Sequence, residues 1–423
     1  MDRPCLVVFR YKGAVLGYEH VLPSELPLTT AEHARLAARA VAPSVAELLH
    51  LGGDNGELLP RWMEPEPLDR KDALFKRLDA ALAERRSRPI TLSASIVICT
   101  LGRPADLAEC LAAIEAERVA GREIVVVDNG PDAETEAVAR AVGGVRYVVE
   151  PRRGLNNARN TGLRAATGDV VVYVDDDVRP EPGWVDALLR RFDKPEVGIV
   201  CGLVLPEALE TEGQIGFQYD LGFGGMGMKP IAFGRSFLKL WPWSPPVWDI
   251  GAGANMAVRR DMALAIGGFD GRVGAGVTGG GGDDTEFWHN LLLHGGEARY
   301  EPLAVVRHRH RRTMRELKRQ AYVYGHGHVV SLFATFAQSR EASHLLRAFI
   351  FLPLWYARRT AAAPSRWLWG DPDRLLVPSI LGYLASFRHI RLAWAERPVR
   401  GEAAGAAPFA APEVQERRPL SSA

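Results

Sequence analysis

What this 423-residue sequence lacks narrows its class first. No stretch approaches the ~18–20 consecutive apolar residues of a membrane-spanning helix. The nearest, HLLRAFIFLPLWY (344–356) and LLVPSILGYLASF (375–387), are short, carry proline and are flanked by arginine. They read either as helices buried against a main domain or as segments lying in a membrane face, so a peripheral membrane contact stays open and a span is not expected. Cysteine is scarce. Cys5, Cys99, Cys110 and Cys201 stand far apart with no C-x-x-C, which predicts reduced, mostly buried thiols in a cytoplasmic setting. The opening MDRPCLVVFRYKGAVLG has no apolar core behind basic residues, which argues against a secretory leader. Excess charge is missing too. With Lys+Arg 52 against Asp+Glu 51, no field of either sign suggests nucleic acid or an anionic membrane as the principal partner.

What is present is a regular alternation. Residues 1–92 open with a strand pair, CLVVFRYKGAVLGYEHVL, around a Lys-Gly turn, and continue into helical stretches rich in alanine and leucine; they read as an accessory region with no chemical site. Within 93–330 the segments SIVICT, DLAECLAAIEA, EIVVVD, TEAVARAV, VRYVVE, LNNARNTGLRAA and DVVVYVDDD run β-α-β-α-β-α-β. Such a pattern predicts an α/β fold with a doubly wound, mostly parallel sheet whose ligands bind at the carboxyl ends of the strands. A helical extension is expected over 331–400, and the alanine- and proline-rich 401–423 should be disordered.

Polar residues collect at those strand ends. Thr100 and Arg103 follow the first strand of the alternation, Asp128, Asn129 and Gly130 the second, and Asp175, Asp176 and Asp177 close a fully apolar run. Three adjacent carboxylates repel unless something positive stabilises them, although a solvated acidic turn is the bland alternative. Asp128 alone could equally be an Asx turn or a helix cap. In an extended segment Asp175 and Asp177 point to one side and Asp176 to the other. Further on, the glycines of GRVGAGVTGGGG precede Asp283-Asp284-Thr-Glu286; this reads as a flexible acceptor-side loop, or a linker leading into an acidic helix cap. Trp241, Trp243 and Trp248 could stack on sugars or pack in a core. His326 and His328, in YGHGH, read as helix-break or packing positions.

In order and spacing, these marks resemble the nucleotide-sugar glycosyltransferases of family two, which have the GT-A fold. They are SIVICTLGRPADLAECL, EIVVVDNGPD, RRGLNNARNTGLRAATGDVVVYVDDDVRPEPGWVDALL, NMAVRRDMALAIGGFD and GGGGDDTEFWHNLLLHG, across roughly residues 95–330. The resemblance implies that Thr100 and Asp128 border the nucleobase and ribose, with Arg103 near the base and Arg159 by the base or phosphates. The aspartates match the family's D-x-D signature, so Asp177 is expected to ligate a divalent cation, Mn2+ or Mg2+, with Asp175 or Asp176 toward the ribose. His308 would approach the metal or diphosphate, or be structural. Arg307, Arg309, Arg311 and Arg312 would screen the diphosphate, contact an anionic lipid-linked acceptor, or simply start a basic helix. Where the family has a Glu-Asp pair this chain has Asp283-Asp284, so Asp284 inherits the general base of an inverting transfer, while the shorter Asp283 changes acceptor placement. Asp283, Trp248 and Asn255 are expected at the acceptor or sugar, with Arg259 beside them. The implied partners are a nucleoside-diphosphate sugar donor and a hydroxyl acceptor (a glycan, a lipid-linked molecule or a small molecule), in cell-envelope or polysaccharide synthesis. Two rivals remain: a sugar nucleotidyltransferase, disfavoured by the single glycine of TLGRPAD, and a non-catalytic binding module, which predicts loss of Asp177 or Asp284 although both are present.

Overall fold

The computed structural model describes residues 4–50, 68–116, 122–222, 227–277, 280–368 and 373–394; the tail at 401–423, expected to be disordered, lies outside the described residues. Strands β1 (Cys5–Tyr11) and β2 (Ala14–Val21) pair antiparallel, as their alternation predicts. Their turn residues, Lys12 (φ 47°) and Gly13 (φ 81°), both have positive φ, which matches the twist of the flanking strands. Helix α1 (Thr30–Leu48) begins with a reciprocal cap between Thr29 and Glu32 and packs, with α2 (Leu68–Ser87), on β2 through Ala14, Leu16, Val45, Leu78 and Leu82. Two ion pairs tie this layer to the main sheet. Arg10 grips both carboxylate oxygens of Glu181 at 2.7 Å, and Arg85 meets the buried Glu301 at 2.7 Å.

Among the described residues the main sheet has nine strands, in the order β5-β4-β3-β6-β10-β8-β11-β7, with β9 beside β11. They are β3 (Ala94–Thr100), β4 (Glu123–Asp128), β5 (Val145–Val149), β6 (Val170–Asp175), β7 (Val178–Pro180), β8 (Val197–Pro206), β9 (Ile231–Phe233), β10 (Asn255–Arg259) and β11 (Glu297–His308). The first four in spatial order are parallel, and β8 and β11 run parallel to each other. Only β10, β7 and β9 run against their neighbours. The sheet is thus mostly parallel, as the alternation predicts.

Alternate residues serve two cores, which is why the strands are apolar throughout. Val97, Val125, Val127 and Tyr173 face helix α5 (Leu155–Ala165) through Ala158 and Leu163. Ile96, Ile98, Val126, Val172 and Val174 face helices α3 (Pro104–Ala116) and α4 (Ala133–Ala141) through Leu107, Leu111 and Ala139. The three buried cysteines carry free thiols, Cys5 is partly exposed, and burial pushes the Cys99 thiol up to about 12.

Helix α6 (Asp283–Leu293) starts at the glycine-rich segment, and α7 (Met314–Ser339) runs unbroken through YGHGH. Of the two readings of this segment, helix break or packing, the packing one describes it: His326 is buried, and the two glycines serve close approach. A Cβ on Gly325 would lie 2.5 Å from the Ser379 carbonyl oxygen, and one on Gly327 would lie 2.5 Å from the Gly281 backbone. Helices α8 (Leu352–Leu368) and α9 (Leu376–Ser386) complete the extension. Among the described residues no helix is long and apolar enough to cross a membrane. Neither apolar segment is fully buried, however: Leu354 and Val377 are each 65% exposed and Leu384 is 58% exposed.

Candidate active site

The carboxyl ends of β3, β4 and β6 meet at one edge of the sheet. At the end of β3 the buried Thr100 donates its hydroxyl to Asp176 at 2.8 Å. At the end of β4 the buried Asp128 accepts from the Gly130 amide (3.0 Å) and the Tyr147 hydroxyl (2.8 Å), so both its oxygens are occupied and the Asx-turn alternative describes its geometry. Its neighbour Asn129 receives the Gly154 amide at 2.8 Å and donates to the carbonyls of Glu150 and Arg152, fastening the start of α5 to this edge.

Strand β6 stops at Asp175, and Asp176 and Asp177 lie in the turn to β7. The strand alternation expected for the triplet therefore fails after its first member, because a turn has no pleat. Asp176 and Asp177 instead meet the same cation, with Arg103 2.8 Å from one and 2.9 Å from the other. Arg103, expected beside a nucleobase, sits here as the counter-charge of the acidic turn. Burial pushes Asp176 up to about 7, with Arg103 and Thr100 opposing the rise. Burial would also raise Asp177, but His308, Arg103 and Arg311 outweigh it and hold that carboxyl below its ordinary range.

Asp177 Oδ1 lies 3.5 Å from His308 Nε2 at the end of β11. The proton pattern here can be followed residue by residue. His310 Nε2 faces the amide oxygen of Gln218 at 3.2 Å and so carries the proton; its Nδ1 is then the acceptor for His308 Nδ1, 2.9 Å away. Burial and the neighbouring His308 push His310 down to about 3, which keeps it neutral. His308 Nε2 and Asp177 Oδ1 thus face each other across 3.5 Å, an arrangement that either a proton or a bound metal cation can bridge. Carboxylate oxygens with one imidazole suit a hard divalent ion such as Mn2+, and the partly exposed Asp175 is the adjoining oxygen source. Of the four basic residues near His308, only Arg311 brings its side chain to the triplet, 3.7 Å from Asp177, while the Arg309 amide donates to the Asp177 carbonyl at 3.0 Å. Arg307 pairs with Glu181, Arg309 with Asp106, Glu109 and Glu207, and Arg312 with Glu210.

Arg159 of α5 joins this edge to the second acidic group. The guanidinium is buried, bonds Asp283 directly and lies 3.9 Å from Asp175. Burial would lower Arg159, yet Asp283, Asp175 and Asp284 together raise it. Asp284 follows in the first turn of α6, half-buried, accepting from the Gly253 amide at 3.0 Å and from its own neighbour's amide, Thr285, at 2.9 Å. Burial pushes Asp284 up to about 6 and Asp283 adds to the rise, while Arg159 and the two amides oppose it. A Cβ on Gly253 would stand 2.8 Å from Arg159 Nη2 and 3.1 Å from Asp284 Oδ2, so a larger residue there would push both groups aside. The described part of the glycine-rich loop packs on α5: the Leu155 amide donates to the Ala275 carbonyl at 2.8 Å.

The remaining expectations separate. Trp248 is 40% exposed, edge-on to His328 and 4.6 Å below the Arg347 guanidinium. Trp243 is also exposed, so the aromatic segment is not a closed core. Asn255 is fully buried and donates to the carbonyls of Leu203 and Ala304, which bridges strands and leaves it no surface for a sugar. Arg259 likewise donates to the carbonyls of Val197 and Lys194. Tyr147 and Gly253 were missed by sequence reasoning; neither belongs to a motif, and each acts through one contact made only in the fold.

The signature described as Glycosyl transferase family 2 matches residues 95–225, and that described as Glycosyl transferase family group 2 matches residues 170–395. Pre-mycofactocin glycosyltransferase of Mycobacterium tuberculosis is 28% identical over 253 residues, 59% of this chain and 50% of that protein. Glucosyl-dolichyl phosphate glucuronosyltransferase of Haloferax volcanii is 26% identical over 190 residues, 43% of this chain and 58% of that protein. The matches thus span only about half the length of these relatives. Among solved structures, a mannosyltransferase of Pyrobaculum calidifontis in complex with GDP-Man and Mn2+ aligns over 73% of this chain and 92% of its own, at 19% identity and a TM-score of 0.47.

Proposed function

The chain belongs to glycosyl transferase family group 2, and from that premise we propose that it moves a sugar from a nucleoside-diphosphate donor to a hydroxyl acceptor with inversion at the anomeric carbon. The observation that carries the reading is Arg159, which bonds Asp283 of the acidic helix and lies 3.9 Å from Asp175 of the strand-end cluster, setting two carboxylate groups of different character side by side. On one side Asp177 is held ionised among cations; on the other Asp284 is pushed up to about 6, into the range where a carboxylate can take a proton near neutral pH. Asp284 removes the proton of the acceptor hydroxyl, its oxygen bonds to the anomeric carbon, and the bond from that carbon to the diphosphate oxygen breaks with its electron pair leaving on the nucleotide. One base and one displacement give inversion.

Asp177 and His308 would hold a divalent ion, with Asp175 beside them. When bound, such an ion neutralises charge on the leaving diphosphate. Arg103 and Arg311, both partly exposed beside Asp177, are the side chains able to turn toward phosphate oxygens. Thr100 keeps Asp176 oriented, and Trp248 offers an aromatic face to a sugar. The exposed Leu354, Val377, Leu381 and Leu384 on α8 and α9 support a second element of the reading: docking on a lipid surface, where a lipid-linked acceptor would be presented.

The test is calorimetric titration of nucleoside diphosphates and their sugars with and without Mn2+ or Mg2+, on wild type and Asp177→Ala, followed by NMR of the product anomer. Metal-dependent binding of one nucleotide, weakened in Asp177→Ala, and an inverted product are expected. If no nucleotide binds under any metal condition, the acidic edge is only a turn and the proposal fails.

A further inference from the structure

A second group of metal-ligating side chains lies away from the sheet edge and shares no residue with Asp177 and His308. His289, on the helix that carries Asp284, faces Glu341 and His344, which follow the end of α7, and the candidate ligand atoms of the three lie within 4.8 Å of one another. His289 is 2% exposed and His344 1%. Among the described residues, neither ring nitrogen of His289 has a hydrogen-bond partner, nor does Nε2 of His344. Unsatisfied buried nitrogens are destabilising unless a ligand or an ordered water satisfies them. Among the described residues no cation pairs with the Glu341 carboxylate.

The pocket is also organised as a ligand set requires. His344 Nδ1 lies 2.9 Å from the hydroxyl of the buried Ser244, which fixes that nitrogen as the outer one and leaves Nε2 turned to the pocket. The two rings stand nearly perpendicular, at 77° with centroids 4.8 Å apart, so they converge on one point without stacking. Burial depresses both imidazoles, His344 to about 4, so both are neutral and available as ligands. We propose that His289, His344 and Glu341 bind a transition-metal ion of the Zn2+ class, which clamps the helix bearing Asp284 to the C-terminal helices. Two imidazoles and a carboxylate are a recurrent donor set for Zn2+, and a water entering past the half-buried Glu341 completes the tetrahedron. Tetrahedral ligands about 2.0–2.1 Å from Zn2+ stand roughly 3.4 Å apart, so closing the site needs about an ångström of side-chain movement.

The test uses the full-length protein, stripped with chelator and titrated with Co2+, whose visible absorption reports a four-coordinate site, and then with Zn2+ while thermal unfolding is followed. Asp177→Asn removes the donor-side ligand and should keep both the Co2+ absorption and the Zn2+-dependent rise in Tm. Glu341→Gln, a half-exposed position whose metal-free melting should match wild type, should lose both. Ser244→Ala should bind about 10- to 100-fold more weakly, the usual effect of removing an outer partner of a ligating histidine. The proposal is overturned if Asp177→Asn shows no Co2+ absorption, or if Glu341→Gln retains absorption and stabilisation; buried water then occupies the pocket. Because Asp177→Asn disables the donor site but not this one, failure here is distinguishable from failure of the proposed transfer.

Discussion

Replacing Asp284 by asparagine should abolish transfer and, at the same time, stabilise the protein at neutral pH. Its carboxyl is pushed from an ordinary 3.8 up to about 6 by burial and by Asp283. That is about two pH units, or about 3 kcal/mol at 1.36 kcal/mol per unit. The sign follows from the folded state holding the proton more tightly than the unfolded one. The penalty of keeping Asp284 ionised is complete above pH 6, shrinks as the pH falls from 6 toward 4, and is gone below 4. Asparagine never ionises, so Asp284→Asn should gain up to about 3 kcal/mol over wild type at pH 8, with the difference closing near pH 4. Denaturant unfolding across that range measures it. Activity moves the other way: loss of a general base costs about 10²- to 10⁴-fold in rate. In the wild type, kcat/KM should fall tenfold per pH unit below a midpoint near 6. Asp283→Asn should move that midpoint down, because a like charge is removed. A limb belonging instead to Asp176, whose surroundings are Arg103, Asp177, Thr100 and Asp175, would not move with Asp283. An acid limb near 4, or an Asp284→Asn variant less stable than wild type at pH 8, would refute the reasoning.

Three further outcomes are expected. Arg159→Met leaves Asp283 and Asp175 without their buried partner and should cost about 3–5 kcal/mol in urea unfolding; a loss below 1 kcal/mol would mean the pair is solvated. Gly327→Ala places a methyl 2.5 Å from the Gly281 backbone, so the clash, about 1–3 kcal/mol, should outweigh the ~1 kcal/mol gained in helix propensity; thermal unfolding that rises instead would show that the helices separate freely. Wild type should co-sediment with phosphatidylglycerol vesicles, and Leu354→Ser with Val377→Ser and Leu381→Ser should release it several-fold; indifference of wild type to vesicles removes the lipid-surface element of the reading.

The part of the fold legible in the sequence is the part set by local pattern. SIVIC, EIVVV and VVVYV are apolar on both faces because helices cover both, and that combination with short amphipathic helices has few other solutions. The place of β10, inserted antiparallel between β6 and β8, depends on pairing between segments far apart in the chain and leaves no local trace. The same distinction divides the site. That Asp175, Asp176 and Asp177 crowd a strand end was readable, whereas their facing was not, since one residue's difference in where β6 stops reverses it. Asn255 reads as a polar residue near a glycine turn, and only the carbonyls of Leu203 and Ala304 reveal it as a strand bridge. The pair of glycines in YGHGH carries a strong local preference to end a helix, and close approach to Gly281 and Ser379 overrides it.

The ion pairs of the β1–β2 layer bear on how far this chain could be recombined with others of its family. Glu181 takes Arg10 from one side and Arg307 from the other, and Glu301, 2% exposed, takes Arg85 and Arg191. Cutting the chain before β3, or grafting the sheet onto a foreign leading segment, would strand both acids with half their counter-charge, one of them in the interior. The unit that can be exchanged without repair is therefore larger than the main sheet, and a folded hybrid would have to inherit Arg10 with Glu181 and Arg85 with Glu301 as matched pairs.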